Sequence, residues 1–405
     1  QLTEGTLVGG VEDLSATFYN PGALALIEEP RFVIGLTSVE LAKIDVPGAA
    51  GDRLDFDQTI FDIVPAVVAG QVGEGRGRVN HFAFAFLARH DFDWDIGYAD
   101  ARVSASAPEG AAGFGRFRQR LVEYWVGGSW SRRLSDHLSI GVSPFFAYRA
   151  QRSRRTLTLE ELAGDTSREV FVGRENEYNH VRLLAKAGVA WRPGRWELGA
   201  TLTAPGVKVW GNGKVVFNAG VAGEAQAPAL SATIQKGLRS TYHAPWSVAG
   251  GASWRRPRGA IHTTVEWFSS VAAYDILQPD PAPVAGRSET VPLVYTGEAR
   301  SVVCYGLGLE QRVRSRVLVY GGAAHNESAY VAGRDAFAAW DLTDLTTGFT
   351  FETGRAKLAL GLGYAWGSKE LPQAVVPPDG SGAPPMRDAR FSRWTISFGT
   401  SFVAK

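Results

Sequence analysis

Two positive charges lie four residues apart in the otherwise apolar stretch HVRLLAKAGVAW, at 180–191. In a strand, side chains two and four positions apart share a face, so Arg182 and Lys186 point the same way. The same rule places Arg149, in SIGVSPFFAYR at 139–149, on the corresponding face of its own strand. The opposite face of the first stretch is apolar and consists of Leu183, Ala185, Ala187, Val189 and Trp191.

Cations in apolar surroundings are suited to binding a carboxylate. Two interpretations remain open for Arg182 and Lys186. Either they bind the carboxylate of a ligand, or they pair with acids of the protein itself, such as Glu123 or Glu266, and hold its interior together. We favour the internal pairing, and we keep Arg149, Arg182 and Lys186 as candidate ligand-binding cations.

Enzymatic chemistry has less support in the sequence. His262 and Glu266 share a strand face, but no serine lies close to them in sequence, and a nucleophile would have to come from another strand. The GNG at 211–213 has the chemistry of a hairpin turn rather than of a phosphate loop. No residue spacing is typical of a metal site. We therefore predict that the protein is not an enzyme and has neither a cofactor nor a metal.

The composition narrows the class of protein. The chain has 405 residues, 47 of them glycine, with 12 tryptophans, one cysteine (Cys304) and a net charge of +1. One cysteine excludes an internal disulfide framework, and the near-neutral charge argues against nucleic acid as a partner. No apolar run is long enough for a transmembrane helix, which needs about 18 residues or more. No signal peptide is visible, and we expect a leader to have been removed before Gln1.

The dominant pattern has a period of two. In KLALGLGYAW at 357–366 and RWTISFGTSF at 393–402, large apolar residues alternate with glycine, alanine, serine and threonine. A soluble β-sandwich would place charges on the second face, and a propeller would show a repeat of about 40–50 residues. Large side chains towards lipid and small polar ones towards a lumen are typical of a transmembrane β-barrel. Tryptophans near strand ends fit an interfacial girdle.

Counting these segments predicts fourteen antiparallel strands, an even number as in single-chain bacterial barrels. Short connections such as RPGR (192–195) and RRPRG (255–259) alternate with longer ones. The predicted strands are 31–44, 58–72, 79–104, 116–134, 137–159, 177–192, 195–215, 237–256, 259–276, 299–313, 316–328, 338–353, 355–369 and 389–403.

The segment before the first strand has a different character. DLSATFYNPGALAL, at 13–26, is apolar like a buried helix, but Asn20-Pro21-Gly22 interrupts it with turn chemistry. It is too apolar for a soluble tail and too broken for a strand. We expect residues 1–30 to plug the barrel lumen as a hatch, with residues 31–405 forming the barrel.

The sequence also resembles a family. LVGGVEDLSATFYNPGALALIEEPRF is similar to the hatch of the FadL-type outer-membrane transporters of long-chain fatty acids and aromatic hydrocarbons. Asp13 and Asn20-Pro21 match the usual pattern, and Gly22-Ala23 inverts its common Ala-Gly order. Two later segments resemble the same family in their order and spacing: ELGATLTAPGVKVWGNGKV and YHAPWSVAGGASWRRPRGAIHTTVEWF. The specific motifs cover about 80 residues.

The resemblance implies a monomeric barrel in the outer membrane of a Gram-negative bacterium, through which apolar compounds or lipids pass by diffusion. It also implies a sideways exit through a break in the third strand. There the charged run after FAFAFLA marks either a kink or the point where the strand leaves the bilayer, and the candidate gate residues are Arg89, His90, Asp91 and Phe92. Six hatch residues either contact ligand or pack the plug: Phe18, Tyr19, Asn20, Pro21, Leu24 and Leu26.

A second hypothesis comes from another class of function. Some barrels of this type act as scaffold or shuttle subunits of secretion or surface assemblies and hold a protein partner. The long loops 276–298 and 371–388, rich in proline and glycine, would then dock that partner. A continuous apolar channel favours transport, whereas an apolar patch on these loops favours the scaffold.

Overall fold

Fourteen antiparallel strands form one closed sheet, and a short helical segment lies inside it. A computed structural model describes residues 7–27, 31–47, 56–65, 67–72, 79–100, 112–163, 166–223, 229–331, 340–354, 356–372 and 386–403. The predicted hatch residues 1–6 and 28–30, and most of the predicted docking loop 371–388, lie outside these ranges. Among the described residues, no helix is both long and apolar enough to cross a membrane.

The number and order of the strands confirm the prediction. The strands are β1 (Arg31–Val46), β2 (Phe56–Pro65 and Val67–Val72), β3 (Asn80–Asp100), β4 (Ala112–Arg133), β5 (Leu138–Ala163), β6 (Thr166–Trp191), β7 (Trp196–Thr203 and Val207–Gly223), β8 (Ala229–Leu238 and Ser247–Arg256), β9 (Gly259–Phe268), β10 (Val302–Arg314), β11 (Val317–Asn326), β12 (Leu342–Glu352), β13 (Ala356–Pro372) and β14 (Met386–Val403).

The sheet closes because its first strand pairs on both sides. Along one edge Val46 of β1 lies opposite Phe56 of β2, and along the other edge Arg31 lies opposite Val403 of β14. The long loop after β9 adds two small hairpins, one pairing Val271–Leu277 with Tyr295–Ala299 and one pairing Ala282–Pro283 with Thr290–Val291. Closure leaves the barrel without a free strand edge at the seam.

The alternation of side chains sets inside and outside. In β3, Phe82, Phe84 and Phe86 are 41–49% exposed, whereas Ala83 and Ala85 between them are buried. This is the reverse of a soluble protein, in which large apolar residues face inward. The outward apolar face predicted from the sequence is thus present, and it fits contact with lipid.

Four strands depart clearly from the predicted bounds. β9 is predicted over 259–276 but ends at Phe268. The sequence predicts β6 from residue 177, but it begins at Thr166, because its polar first part alternates too weakly to be recognised. β7 and β8 were expected to be continuous through 195–215 and 237–256, yet both are interrupted. The interruptions contain Pro205 and Pro245, which have no backbone N–H to give to a ladder.

The hatch folds around Asn20. A one-turn helix, Ala16–Tyr19, is followed by a 3-10 helix, Pro21–Leu26, and the Asn20 side chain accepts a hydrogen bond from the Gly22 amide between them. The Asn20 amide donates to the carbonyls of Val8 and Val189, each at 2.9 Å. One buried side chain therefore fixes the turn and ties it to β6.

The barrel wall holds the hatch through its small and polar inward face. Ser131 and Ser139 donate to the Gly22 carbonyl at 3.0 and 2.7 Å. Arg133 donates to Ala25, and Arg192 donates to Leu26 and Val11. These contacts place residues 7–27 in the lumen at the end of the short turns. The division into a hatch of 1–30 and a barrel of 31–405 stays a prediction.

We predict that a methyl group on Gly141 disturbs the docking of the hatch. A Cβ at Gly141 would lie 2.3 Å from the Pro21 carbonyl oxygen, whereas a Cβ at Gly250 would meet nothing within 4 Å. Overpacking of this kind costs about 1–3 kcal/mol. Gly141→Ala should therefore lower the thermal midpoint in detergent and expose the hatch to protease, while Gly250→Ala should change neither. Equal behaviour of the two variants would contradict this placement of the hatch.

Candidate functional site

Inside the lumen, a layer of apolar side chains from the hatch and the barrel wall packs together. Phe18 of the hatch packs edge-on against Trp125, with ring centroids 5.7 Å apart, and Trp125 contacts Phe145 at 5.5 Å. Tyr19 packs on the same cluster. Inward side chains of β3, β5 and β6 complete this layer: Ala85, Leu87, Ala147 and Leu184. It would contact the chain or ring of any apolar molecule that reaches the hatch.

The other predicted hatch residues pack the plug. Pro21 lies against Gly141 and Gly188 of the wall, and Leu24 and Leu26 are buried in the same cluster as the apolar layer. The side-chain amide of Asn20 donates its hydrogen bonds to backbone carbonyls. Contact with a ligand stays a prediction for these four residues.

A buried charge cluster follows next along the lumen. Glu123 of β4 accepts from Arg149 of β5 at 2.9 Å and from Arg182 of β6 at 2.7 Å. All three side chains are at most 3% exposed. The internal pairing with Glu123 that the sequence left open for Arg182 is present, and it extends to Arg149. Two guanidinium groups share one carboxylate, so the cluster keeps one excess positive charge.

The two arginines differ in how fully they are bonded. Arg149 also donates to the Tyr178 hydroxyl at 3.0 Å, to Gln151 at 3.1 Å and to the Tyr330 hydroxyl at 3.1 Å. Arg182 Nε and Nη1, by contrast, have no hydrogen-bond partner among the described residues. Both ring nitrogens of the buried His180, on the same strand, are also unpartnered within the described chain. Buried donors of this kind normally find an acceptor.

Tyr242 covers the arginine pair. Its ring lies 4.3 Å from the guanidinium carbon of Arg149 and 5.0 Å from that of Arg182. Its edge also faces His180, with centroids 6.0 Å apart. Cation–π contacts of this geometry are favourable, and more so away from water. Tyr242 comes from the interruption of β8, and nothing in the sequence alone indicated that this loop would reach the arginines.

Lys186 lies apart from the arginines. Its ammonium is 4.8 Å from the centroid of the Phe18 ring, and Arg89 reaches the same ring at 5.4 Å. Glu266 is near enough to interact electrostatically with Lys186, but among the described residues no ion pair of 4.0 Å or less joins Lys186 to a carboxylate. The three predicted cations therefore divide into an arginine pair and a lysine beside the hatch.

The predicted gate residues lie at an irregularity of β3. The pairing of β3 with β4 shifts between Ala88 and His90, which leaves Arg89 as a bulge. On the other side, the described pairing of β3 with β2 runs only from Phe82 to Leu87. Beyond the bulge, Asp91 accepts from Tyr124 at 2.9 Å, and Phe92 packs against Trp94 with centroids 5.2 Å apart. The strand thus continues past the break.

A serine does approach His262, from the neighbouring strand. Ser253 Oγ and His262 Nδ1 share a hydrogen bond of 2.7 Å, and His262 Nε2 lies 3.8 Å from Glu310. Both Ser253 and His262 are buried, and a Cβ on Gly10 of the hatch would be 2.3 Å from Ser253 Oγ. The hatch therefore leaves no room for an acyl substrate at this serine.

This group belongs instead to the contact between the hatch and the wall. Arg255 donates to Glu197 at 3.0 Å and to Glu310 at 3.2 Å, and it meets Glu12 of the hatch at 2.5 Å. Sequence spacing could not reveal the arrangement, since the residues come from the hatch and four strands. No group of three or more metal-ligating side chains occurs among the described residues.

The structure is thus a closed fourteen-strand barrel with an internal N-terminal segment and an apolar layer in its lumen. The chain has the fold of the FadL-type channels, which confirms the resemblance seen in the sequence at the level of the fold. No protein-family model matches the sequence. No curated protein matches it either.

Solved structures with this fold cover nearly the whole chain. A Pseudomonas aeruginosa FadL homologue is 12% identical over 98% of this chain and 96% of its own, with a TM-score of 0.64. The P. putida toluene transporter TodX is 11% identical over 97% and 94%, with a TM-score of 0.70. The monoaromatic hydrocarbon channel CymD is 12% identical over 100% and 97%, with a TM-score of 0.62.

We predict that Glu123 is essential for the stability of the barrel interior. Glu123→Gln leaves two buried guanidinium groups without a carboxylate, and breaking a buried pair costs about 3–5 kcal/mol. Asp93→Asn is the matched control, because Asp93 pairs with Arg118 at 2.6 Å on the exposed face, where a pair is worth about 1 kcal/mol or less. Thermal unfolding in detergent should show a much larger loss for Glu123→Gln. Similar small losses would contradict the buried cluster.

Proposed function

We propose that the protein is a passive channel for hydrophobic molecules in the outer membrane of a Gram-negative bacterium. We propose also that a leader sequence directs the protein to this membrane and is then removed. We propose further that it takes apolar acids such as long-chain fatty acids. The observation that carries this is the buried Arg182, which has two unpartnered nitrogens next to the apolar layer. An apolar surface beside an unsatisfied cation is complementary to an alkyl carboxylate.

The electrostatics support an anionic head group. Glu123 neutralises one of the two arginines, so a second carboxylate would restore neutrality in a region of low dielectric constant. Arg182 Nε and Nη1 are free to donate, and arginine donors match a carboxylate geometrically. His180 could donate a further hydrogen bond from one ring nitrogen.

A neutral aromatic hydrocarbon is the competing ligand. The rings of Phe18, Trp125 and Phe145 form a surface that such a molecule could contact without any cation. TodX and CymD, which share the fold, are a toluene transporter and a monoaromatic hydrocarbon channel. The two ligand classes differ in one respect, since only the acid needs Arg182.

The ligand's route past the hatch is also proposed. Passage along the barrel axis would require the hatch to give up its hydrogen bonds to Arg133 and Arg192. The break at Arg89 offers a sideways exit into the bilayer, because the described pairing of β3 with β2 ends at Leu87 and Arg89 contacts Phe18 of the hatch. A small rearrangement of Phe18 would then suffice.

The scaffold hypothesis receives less support from the loop after β9. Three of its large apolar residues, Ile276, Leu277 and Leu293, are buried against Tyr178 and Phe217 of the barrel, and Val294 is 41% exposed. The three buried side chains are used inside the protein and leave no apolar patch of their own for a partner. We therefore place transport ahead of docking at the extracellular loops.

We predict that Arg182→Gln weakens binding of hexadecanoate by about 10–100-fold, because a hydrogen bond to a charged group is worth about 1.5–3 kcal/mol. Binding of the methyl ester of the same acid should change by less than threefold. Titration calorimetry in detergent measures both. Arg118→Gln, at an exposed position outside the lumen, is the control and should affect neither ligand.

Two results would overturn parts of this proposal. If the acid and its ester bind the wild type equally and both tolerate Arg182→Gln, the ligand is a neutral hydrocarbon. If neither binds the wild type, the fatty-acid proposal fails, and an aromatic hydrocarbon or a protein partner remains.

We predict that deleting Arg89 slows uptake through the sideways exit at least tenfold. Removal of the bulge residue keeps Ala88 opposite Tyr124 and His90 opposite Glu123, so the ladder becomes regular without inverting any face. Arg89→Ala keeps the bulge and removes only the side chain, so it should retain most uptake. Uptake of radiolabelled hexadecanoate by cells producing each variant measures the difference. Normal uptake by the deletion would place the exit elsewhere.

A further inference from the structure

The wall of the barrel is also interrupted between β7 and β8. In β7, Pro205 and Gly206 separate the two halves, and Gly206 has a φ of 90°. In β8 the interruption runs from 239 to 246 and contains Pro245, and Gly237, just before it, has a φ of 73°. Proline removes ladder donors and positive φ favours glycine, so the local sequence dictates both interruptions.

The two interruptions face each other and leave a gap in the pairing. β7 and β8 pair from Thr203 with Ser247 towards the short turns, and again from Gly213 with Leu238 towards the long loops. Residues 204–212 and 239–246 form no ladder pairs with one another, and both segments lie within the described part of the chain. On its other side β7 stays paired with β6, since Val207 lies opposite Leu183.

The unpartnered donors of the charge cluster lie directly behind this gap. His180 is opposite Gly211, and Arg182 is opposite Lys208, across the β6–β7 ladder. Both side chains point into the lumen and are at most 2% exposed. On the outer side, Val207, Val209 and Trp210 are 74%, 58% and 51% exposed. A buried cationic site and an exposed apolar strip are thus separated by the thickness of the wall.

The segment 239–246 lies between the two and turns inward, and Lys208 of β7 bridges the gap by donating to the Ser240 carbonyl. Tyr242 lies on the two arginines, and Ser240 donates to the Asn179 carbonyl at 2.8 Å. Thr241 donates to Ile276 at 2.9 Å, and the His243 amide donates to the Tyr274 hydroxyl at 3.1 Å. Burial raises the pKa of the Tyr274 phenol, which lies in the loop beyond β9, so it stays protonated near neutral pH.

We propose that this gap is a second lateral port. A single-chain anionic amphiphile would place its carboxylate on Arg182 and His180 and run its chain outward between β7 and β8, along Val209 and Trp210, into the bilayer. This rests on the proposed function, because it uses the same arginine pair. The occupant follows from charge and shape, since the inner end has one carboxylate for two guanidinium groups and the outer end is apolar.

The port explains why Tyr242 lies where it does. Its ring covers the guanidinium faces and leaves Arg182 Nε and Nη1 without hydrogen bonds. A carboxylate that bonds to those nitrogens would displace the ring and move the 239–246 segment. Gly237 has open space around it and provides a hinge.

The test places a photo-reactive benzophenone side chain at Trp210 and, in a second variant, at Trp394. Trp394 is 48% exposed, against 51% for Trp210, and lies on β14, away from the gap. Each variant is reconstituted into phosphatidylcholine vesicles with radiolabelled hexadecanoate and irradiated. Crosslinking at 210 should saturate at the concentration that half-saturates calorimetric binding, and it should fall at least tenfold when Arg182→Gln is added. Crosslinking at position 394 should rise linearly with the concentration of hexadecanoate and should be unchanged by Arg182→Gln.

The outcomes separate the port from the function on which it rests. Saturable, Arg182-dependent binding together with linear crosslinking at position 210 overturns the port and leaves the proposed function intact. Absence of saturable binding in the wild type overturns both. Arg182→Lys serves as the conservative variant, and partial recovery of crosslinking at 210 is expected, because it restores the charge without the fork of donors.

Discussion

Every backbone amide that faces hydrocarbon must find its hydrogen-bond partner within the protein, because lipid offers none. The closed ring satisfies this demand wherever the fourteen strands are paired, including the seam between β1 and β14. An interruption of a strand leaves backbone amides and carbonyls unpaired, which is unfavourable in lipid unless these groups turn inward. The β7–β8 interruption does so by folding residues 239–246 onto the lumenal arginines. The demand for pairing thus links the irregular parts of the wall to the interior site.

The interior site itself depends on an imbalance of charge. Glu123 holds Arg149 and Arg182 together, and tyrosine hydroxyls and Gln151 satisfy most of the remaining donors of Arg149. Removing one charge from such a cluster is expensive, which makes it a structural element of the barrel. The same cluster is under-neutralised at Arg182, which makes it receptive to an anion. Stability and the proposed recognition of an acid therefore reside in the same three side chains.

The sequence predicts the fold well because its strongest patterns are local. Alternation places the fourteen strands and orients Arg149, Arg182 and Lys186 inward, and Asn20-Pro21 marks the hatch. The sequence does not predict the polar beginning of β6, the contact of Lys186 with the Phe18 ring or the contact of Tyr242 with the arginines. Each depends on contacts between distant segments, such as Arg149 with Tyr330, 181 residues apart. Only the register of the closed barrel brings such residues together.

The hatch has a consequence for how the chain folds. Its anchoring hydrogen bonds join residues far apart in sequence, from 106 positions for Ala25 with Ser131 to 181 for Val11 with Arg192. Its two helical segments have four and six residues, too few to be stable alone. The hatch, which precedes the strands along the chain, is therefore among the last parts to become ordered. The barrel must assemble around a lumen that the hatch has yet to fill.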